Sequence, residues 1–261
     1  MTIFVLCDLE GAAGVVDFQT QSYAGGKYNE QAKRLATLEI NALVDGALEG
    51  GADDVVVLDG HGSGGLDIEQ IHEEARVLYG RPISSAWRLE GLRFDALYLY
   101  GHHAMVNTPN GVLAHSWSSR TIANCWLNGD LIGETGFNVA RAGQLGIPAV
   151  FICGDQAAID EARCYVPNIE GVVVKQGLSR TSALTVSPLK ARKLIREGAK
   201  RAAGRMSEID TFTIDPPYTF VTEYLDAATA ESKAAVPDAE RVNTHTVKIT
   251  GDTLDEIAEK R

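Results

Sequence analysis

Hydrophobic residues along this chain follow two alternating rhythms. Short apolar runs at Ile3 to Cys7, valine-rich Asp54 to Leu58, Ala96 to Tyr100, Ala149 to Cys153 and Val172 to Lys175 read as buried strands. Between them lie segments with apolar residues at three- or four-residue steps. In Tyr28 to Gly50 these are Ala32, Leu35, Leu38, Ala42 and Leu43, the inner stripe of a helix that Gly50-Gly51 stops. Gly136 to Leu145 and Pro188 to Ala203 read as further helices, the second with a proline near its start. Strands alternating with helices predict an α/β fold, a three-layer α/β/α arrangement around a mainly parallel sheet.

After about Met206 the rhythm changes. Thr211 to Thr222 is β-prone but broken by Pro216-Pro217, Ala227 to Ala235 reads as a helix or a loop, and Val242 to Ile249 alternates as an antiparallel or edge strand does. The predicted organisation is an α/β core over residues 1–205 with a smaller α+β portion over 206–261, serving specificity or subunit contacts.

Composition mainly removes possibilities. Net charge is -11, so phosphate backbones and anionic lipid surfaces repel the chain, and neither nucleic acid nor membrane is an expected partner. No apolar run approaches the ~20 residues that span a bilayer, and acids follow the apolar start at once, which reads as a strand rather than a signal peptide. Cys7, Cys125, Cys153 and Cys164 are widely spaced with no CxxC pair, as expected of reduced thiols in a cytoplasmic protein.

The informative polar residues sit where strands end, which in open α/β sheets is where ligands bind. Asp8 and Glu10 follow the first strand, Asp59 and His61 the second, and His102 and His103 the third; His115 and Glu134 come from the region after it. Taken singly, each has an ordinary explanation, such as a loop carboxylate, a turn histidine among glycines or a first-turn acid favoured by the helix dipole. Together they suit a metal. On an extended strand, Asp8 and Glu10 would share one face and repel unless a dication joined them. Mixed His and carboxylate ligands without thiolates fit zinc in a hydrolytic site, where a carboxylate can bridge two ions. If extended, His102 and His103 point to opposite faces, so at most one of them faces the site.

These same segments resemble the M55 family of zinc-dependent D-aminopeptidases. Cys7-Asp8-Leu9-Glu10-Gly11 is similar to the family's S-x-D-x-E-G, Asp59-Gly60-His61-Gly62 to its D-S-H-S, and Gly101-His102-His103-Ala104 to its G-Y-H-A. Ala114-His115-Ser116 resembles S-H-S, and Gly133 to Asn138 resembles G-E-x-G-x-N. Val174-Lys175-Gln176, Ser179-Arg180 and Ser187-Pro188 resemble V-K-Q, S-R and S-P. The motifs come in the family's order across roughly residues 3–205; beyond Tyr218 the match is poor. Gly60, Gly62 and His102 depart from the pattern.

The resemblance implies two zinc ions per subunit, bridged by Asp8 and completed by Glu10, His61, His103 and Glu134, with His115 in the catalytic role. It also implies removal of N-terminal D-residues from short peptides, and a homo-oligomeric ring of ten subunits. His115 would act as acid/base, nucleophile or oxyanion stabiliser. Lys175 and Arg180 are candidates to contact a product carboxylate or to form ordinary salt bridges. Asp59 and Asp155 are candidates to orient ligating histidines, Asp155 alternatively to cap a helix, and His102 is inert or supports the site from behind. Competing readings are a two-metal hydrolase of a non-peptide amide, and a metal-stabilised peptide-binding or assembly protein without turnover.

Overall fold

A computed structural model describes residues 1–81 and 87–261. Its main sheet has seven strands in the order β3-β2-β1-β4-β7-β8-β9. These are β1 (Thr2–Cys7), β2 (Asp54–Asp59), β3 (Ala75–Leu78), β4 (Ala96–His102), β7 (Ala149–Asp155), β8 (Glu170–Ser179) and β9 (Ser182–Thr185). All pairings are parallel except β8 with β9. β4 is buried throughout, which is why it reads as an unbroken apolar run.

Helices cover both faces. α1 (Asn29–Glu49) lies between β1 and β2, while α2 (Glu134–Gln144) and α3 (Gln156–Tyr165) connect β4 to β7 and β7 to β8, across the sheet in the opposite direction. Right-handed crossovers therefore put α1 on one face and α2 with α3 on the other. α4 (Pro188–Gly204) joins α1. A Cβ on Gly46 would come within 2.1 Å of the Arg196 carbonyl oxygen, so the two helices meet backbone to backbone. Tyr98 of β4 donates its hydroxyl to the Ala199 carbonyl of α4 at 2.9 Å, and Tyr100 donates to Glu39 of α1 at 2.9 Å.

A second, five-stranded antiparallel sheet runs β11-β12-β10-β5-β6. It combines β5 (Ile122–Leu127) and β6 (Asp130–Leu131) with β10 (Tyr218–Tyr224), β11 (Ala239–Arg241) and β12 (Thr246–Gly251). Strands from both sides of residue 206 thus share one sheet, with β5 hydrogen-bonded to β10. Its apolar face (Cys125, Leu127, Phe220, Ile249) packs with Phe137 and Ala140 of α2 and with Leu254 and Ile257 of α6 (Leu254–Lys260). Residues Ala227–Ala234 form a helix, α5, and the strand expected over Val242 to Ile249 begins at Thr246.

Candidate metal centre

The strands that carry the polar residues lie side by side as β2-β1-β4-β7, and their carboxyl ends are level: Cys7 is paired with Asp59 on one side and Tyr100 on the other. Asp8 and Glu10 are not on an extended strand, as the spacing had suggested. β1 stops at Cys7, and Asp8 to Gly11 form a turn. The turn lies flush on Gly101, donating Asp8 N–H to the Tyr100 carbonyl at 2.8 Å and Gly11 N–H to the Gly101 carbonyl at 2.6 Å. Gly101 has φ +69°, and a Cβ there would sit 2.1 Å from the Asp8 carbonyl oxygen, so only glycine fits. This contact sets the Asp8–Glu10 turn beside His103.

The two oxygens of Asp8 face different partners. Oδ1 is 3.0 Å from His61 Nδ1, which is also 3.1 Å from Glu10 Oε2. Oδ2 is 3.2 Å from His103 Nε2, which is 3.5 Å from Glu134 Oε1. The opposite ring nitrogens are committed to carbonyls: His61 Nε2–H to Ser22 at 3.0 Å, His103 Nδ1–H to Ala104 at 3.0 Å and His115 Nδ1–H to Leu113 at 2.9 Å. The lone pairs of His61 Nδ1 and His103 Nε2 are therefore turned towards carboxylates. Glu10 Oε2 and His103 Nε2 are buried without a hydrogen-bond partner. Acceptors crowded against acceptors require a cation or a proton between them.

The titration of these groups agrees. Burial pushes the Asp8 carboxyl up, but the imidazoles of His103 and His61 beside it outweigh that and hold it well below the usual range. Burial lowers His61, yet Glu10 and Asp8 raise it well above an ordinary histidine; Asp8 and Glu134 do the same for His103. Burial raises Glu134, but His103 brings it down to about 2. Protons on the two imidazoles thus fill the place of positive charge. The buried mixed N/O donors fit divalent metal better.

His115 stands beside this cluster, with Nε2 3.9 Å from Glu134 Oε1 and its ring stacked on His103. Burial, then the charge on His103, lowers its pKa. Two residues to either side, Leu113 and Trp117 hold φ of +54° and +55°, a left-handed conformation that costs bulky residues of order 1–3 kcal/mol and occurs at functional sites. Trp117 donates its backbone N–H to Glu134 Oε1 at 2.6 Å, fixing that carboxylate at the start of α2. The site opens into a cleft of about 590 Å³ lined by Asp8, Glu10, His61, His115, Trp117 and Glu134.

A family model for D-aminopeptidases, peptidase family M55, matches residues 1–260. The chain belongs to this family. The match runs through the portion beyond Tyr218, where motif reading found little. The D-aminopeptidase of Bacillus subtilis strain 168 is 30% identical over 252 residues, 95% of this chain and 90% of that protein. The solved structure of the Zn-dependent D-aminopeptidase DppA from Bacillus subtilis, described as a self-compartmentalizing protease, matches with a TM-score of 0.91. Identity is 27%, covering 100% of this chain and 95% of that one.

The remaining candidates resolve differently. Neither Asp59 nor Asp155 hydrogen-bonds a histidine ring. Asp59 accepts from Gly65 N–H at 2.8 Å and so closes the loop carrying His61, while Asp155 accepts from Val112 N–H at 2.8 Å and braces the loop carrying His115 instead of capping α3. Lys175 does not reach the cleft. Its buried ammonium donates to the carbonyls of Glu10, Ala12 and Val15, tying down the turn that carries Glu10. Arg180 is exposed, with its guanidinium 5.1 Å from the centre of the Phe18 ring. His102 is buried behind the site, its Nδ1 3.1 Å from Thr135 Oγ1.

Sequence reasoning missed Ser22 and Glu161. Ser22 ends a π-helical turn, Phe18–Ser22; its hydroxyl donates to Glu10 Oε1 at 2.6 Å and its carbonyl takes His61. Glu161, buried in α3, accepts from Met105 N–H at 2.7 Å and steadies the chain just after His103. Nothing in the local pattern marks either residue, because their partners lie in other elements.

Proposed function

We propose that this protein is an aminopeptidase that removes N-terminal D-residues from short peptides with the help of two zinc ions. Asp8 would bridge the ions, Glu10 and His61 would complete one site, and His103 and Glu134 the other. The observation that carries this reading is the division of Asp8, whose two oxygens face two separate sets of donor atoms. When bound, the zinc pair would polarise the scissile carbonyl and make hydroxide available near neutral pH.

The chain's own residues supply the rest. His115 has its Nδ1–H fixed on Leu113, so Nε2 carries the lone pair beside the cleft. It takes the proton released as the nucleophile attacks and returns it to the departing amine. Glu134 beside it stabilises the imidazolium in between. Glu10, held by Ser22, is placed to meet the substrate's free ammonium.

A ring-shaped homo-oligomer, of ten copies in the implied family manner, accords with Leu178 and Leu184 on the β8–β9 hairpin and Leu189 just beyond, all largely exposed. The 206–261 portion would serve specificity and assembly. No helix among the described residues is long and apolar enough to cross a membrane, and the reduced thiols accord with a cytoplasmic setting.

The test is an assay of metal-analysed protein against matched L- and D-aminoacyl p-nitroanilides and dipeptides, with chelator and with zinc restored. About two metals per chain and chelator-sensitive cleavage favouring the D-series are expected. Bound metal without aminopeptidase turnover would move the assignment to another amide. A protein that binds no zinc and gains nothing from it would end the reading.

A further inference from the structure

Arg261, which follows α6, turns its side chain back over the site. Its guanidinium lies 4.3 Å from the centre of the Trp117 ring and 5.6 Å from that of Phe137. Trp117 is also the residue whose backbone holds Glu134, a proposed zinc ligand, and Arg261 and Glu134 line the same cavities. Arg261 lines the main cleft, a second recess of about 250 Å³ behind Glu134, and a smaller cavity of about 160 Å³ towards the second sheet.

The guanidinium has no counter-ion among the described residues. Its Nε is buried and without an acceptor. The nearby acids are otherwise engaged, Glu134 with His103 and His115, and Asp255 with Arg141 and Arg88. The other arginines of the second recess are also committed: Arg81 donates to the carbonyls of Asp59 and His61, and Arg141 pairs with Asp255. A half-buried cation without an acidic partner is costly, and a ligand that brings an anion removes the cost. The planar fork fits a carboxylate in two parallel hydrogen bonds, and the Trp117 ring beneath holds it in place.

We infer that Arg261 is a specificity-determining residue that binds the free C-terminal carboxylate of a short peptide, so that free-acid dipeptides are cleaved in preference to their C-terminal amides. The inference rests on the aminopeptidase reading above. It gives Arg261 the carboxylate contact that the sequence had suggested for Lys175 or Arg180.

The experiment compares D-alanyl-glycine with D-alanyl-glycinamide as substrates of the full-length, zinc-loaded protein, in wild type, Arg261→Met and Arg261→Lys. Wild type is expected to favour the acid about 10- to 100-fold in kcat/KM, as a charge-assisted contact does. In Arg261→Met that ratio collapses towards one, mainly through a raised KM for the acid. Arg261→Lys, which keeps the charge without the fork, falls between. A wild-type ratio near one overturns the inference with no variant needed, as does an Arg261→Met protein with an unchanged ratio. If Arg261→Met fails to fold, the wild-type ratio and Arg261→Lys decide. A wild type that turns over neither substrate sinks the aminopeptidase reading itself, and this inference with it.

Discussion

The imidazoles of His103 and His115 lie stacked, with centroids 3.8 Å apart and planes 16° from parallel. One ring is turned to the carboxylates and the other to the cleft. Burial, and after it the charge on His103, lowers the pKa of His115, so the outer ring stays neutral and ready to accept a proton.

The corresponding prediction is that His115→Gln lowers kcat by roughly 10²- to 10⁴-fold, the range for loss of a proton-transfer group. Metal content and Tm should hardly change. Loss of zinc along with activity would instead place His115 among the ligands.

Asp8→Asn should be more damaging to metal binding than any other single exchange. An amide keeps the shape but loses the charge needed to join two dications. Metal analysis after dialysis is expected to show both ions weakened, whereas Glu10→Gln should weaken one. Equal, partial loss in the two variants would argue against a bridge.

Lys175→Met removes a donor shared by three carbonyls, those of Glu10, Ala12 and Val15. Buried acceptors left bare cost about 1–3 kcal/mol each, so denaturant unfolding should show a loss of roughly 3 kcal/mol or more. Zinc affinity should fall too, because the Glu10 turn is released. Unchanged affinity would show that the turn holds without its clamp.

Burial pushes both Glu39 and Glu161 up to about 7 from the ordinary 4.5. A raised carboxyl binds its proton more tightly folded than unfolded. Its stabilising contribution is complete below 4.5 and is lost as pH rises to about 7. Lys175, lowered by burial to about 8, works the other way: folded stability rises with pH from about 8 towards 10.5. The combined contribution of these three groups should therefore be smallest near pH 7–8. Glu161→Gln should roughly halve the acidic limb, removing on the order of 3 kcal/mol between its ends. Urea midpoints measured across pH would check both limbs.

Much of this was legible in the sequence because it is written locally. Buried strands announce themselves as apolar runs, and polar residues directly after such runs must gather at one edge of a parallel sheet. The residue types at Asp8, His61 and His103 then suggest the chemistry. What stayed hidden depends on distant partners. Lys175 reads as a charge near a strand until the carbonyls of the first loop close around it. Glu161 reads as one more helical acid until Met105 approaches. β5 lies within the stretch read as the core, yet pairs with a strand some hundred residues on, and no local rhythm reports that.

That pairing has a consequence for how the protein comes to life. Ile122 is set only when Tyr224 arrives beside it, and the segment between His103 and Ile122 carries His115 and Trp117. A chain made from its amino end has every proposed zinc ligand long before β10 exists to hold that segment. Because contacts so far apart in sequence form late and slowly, the half-made chain should bind metal loosely and cleave nothing. Peptide hydrolysis would be withheld until synthesis is nearly finished.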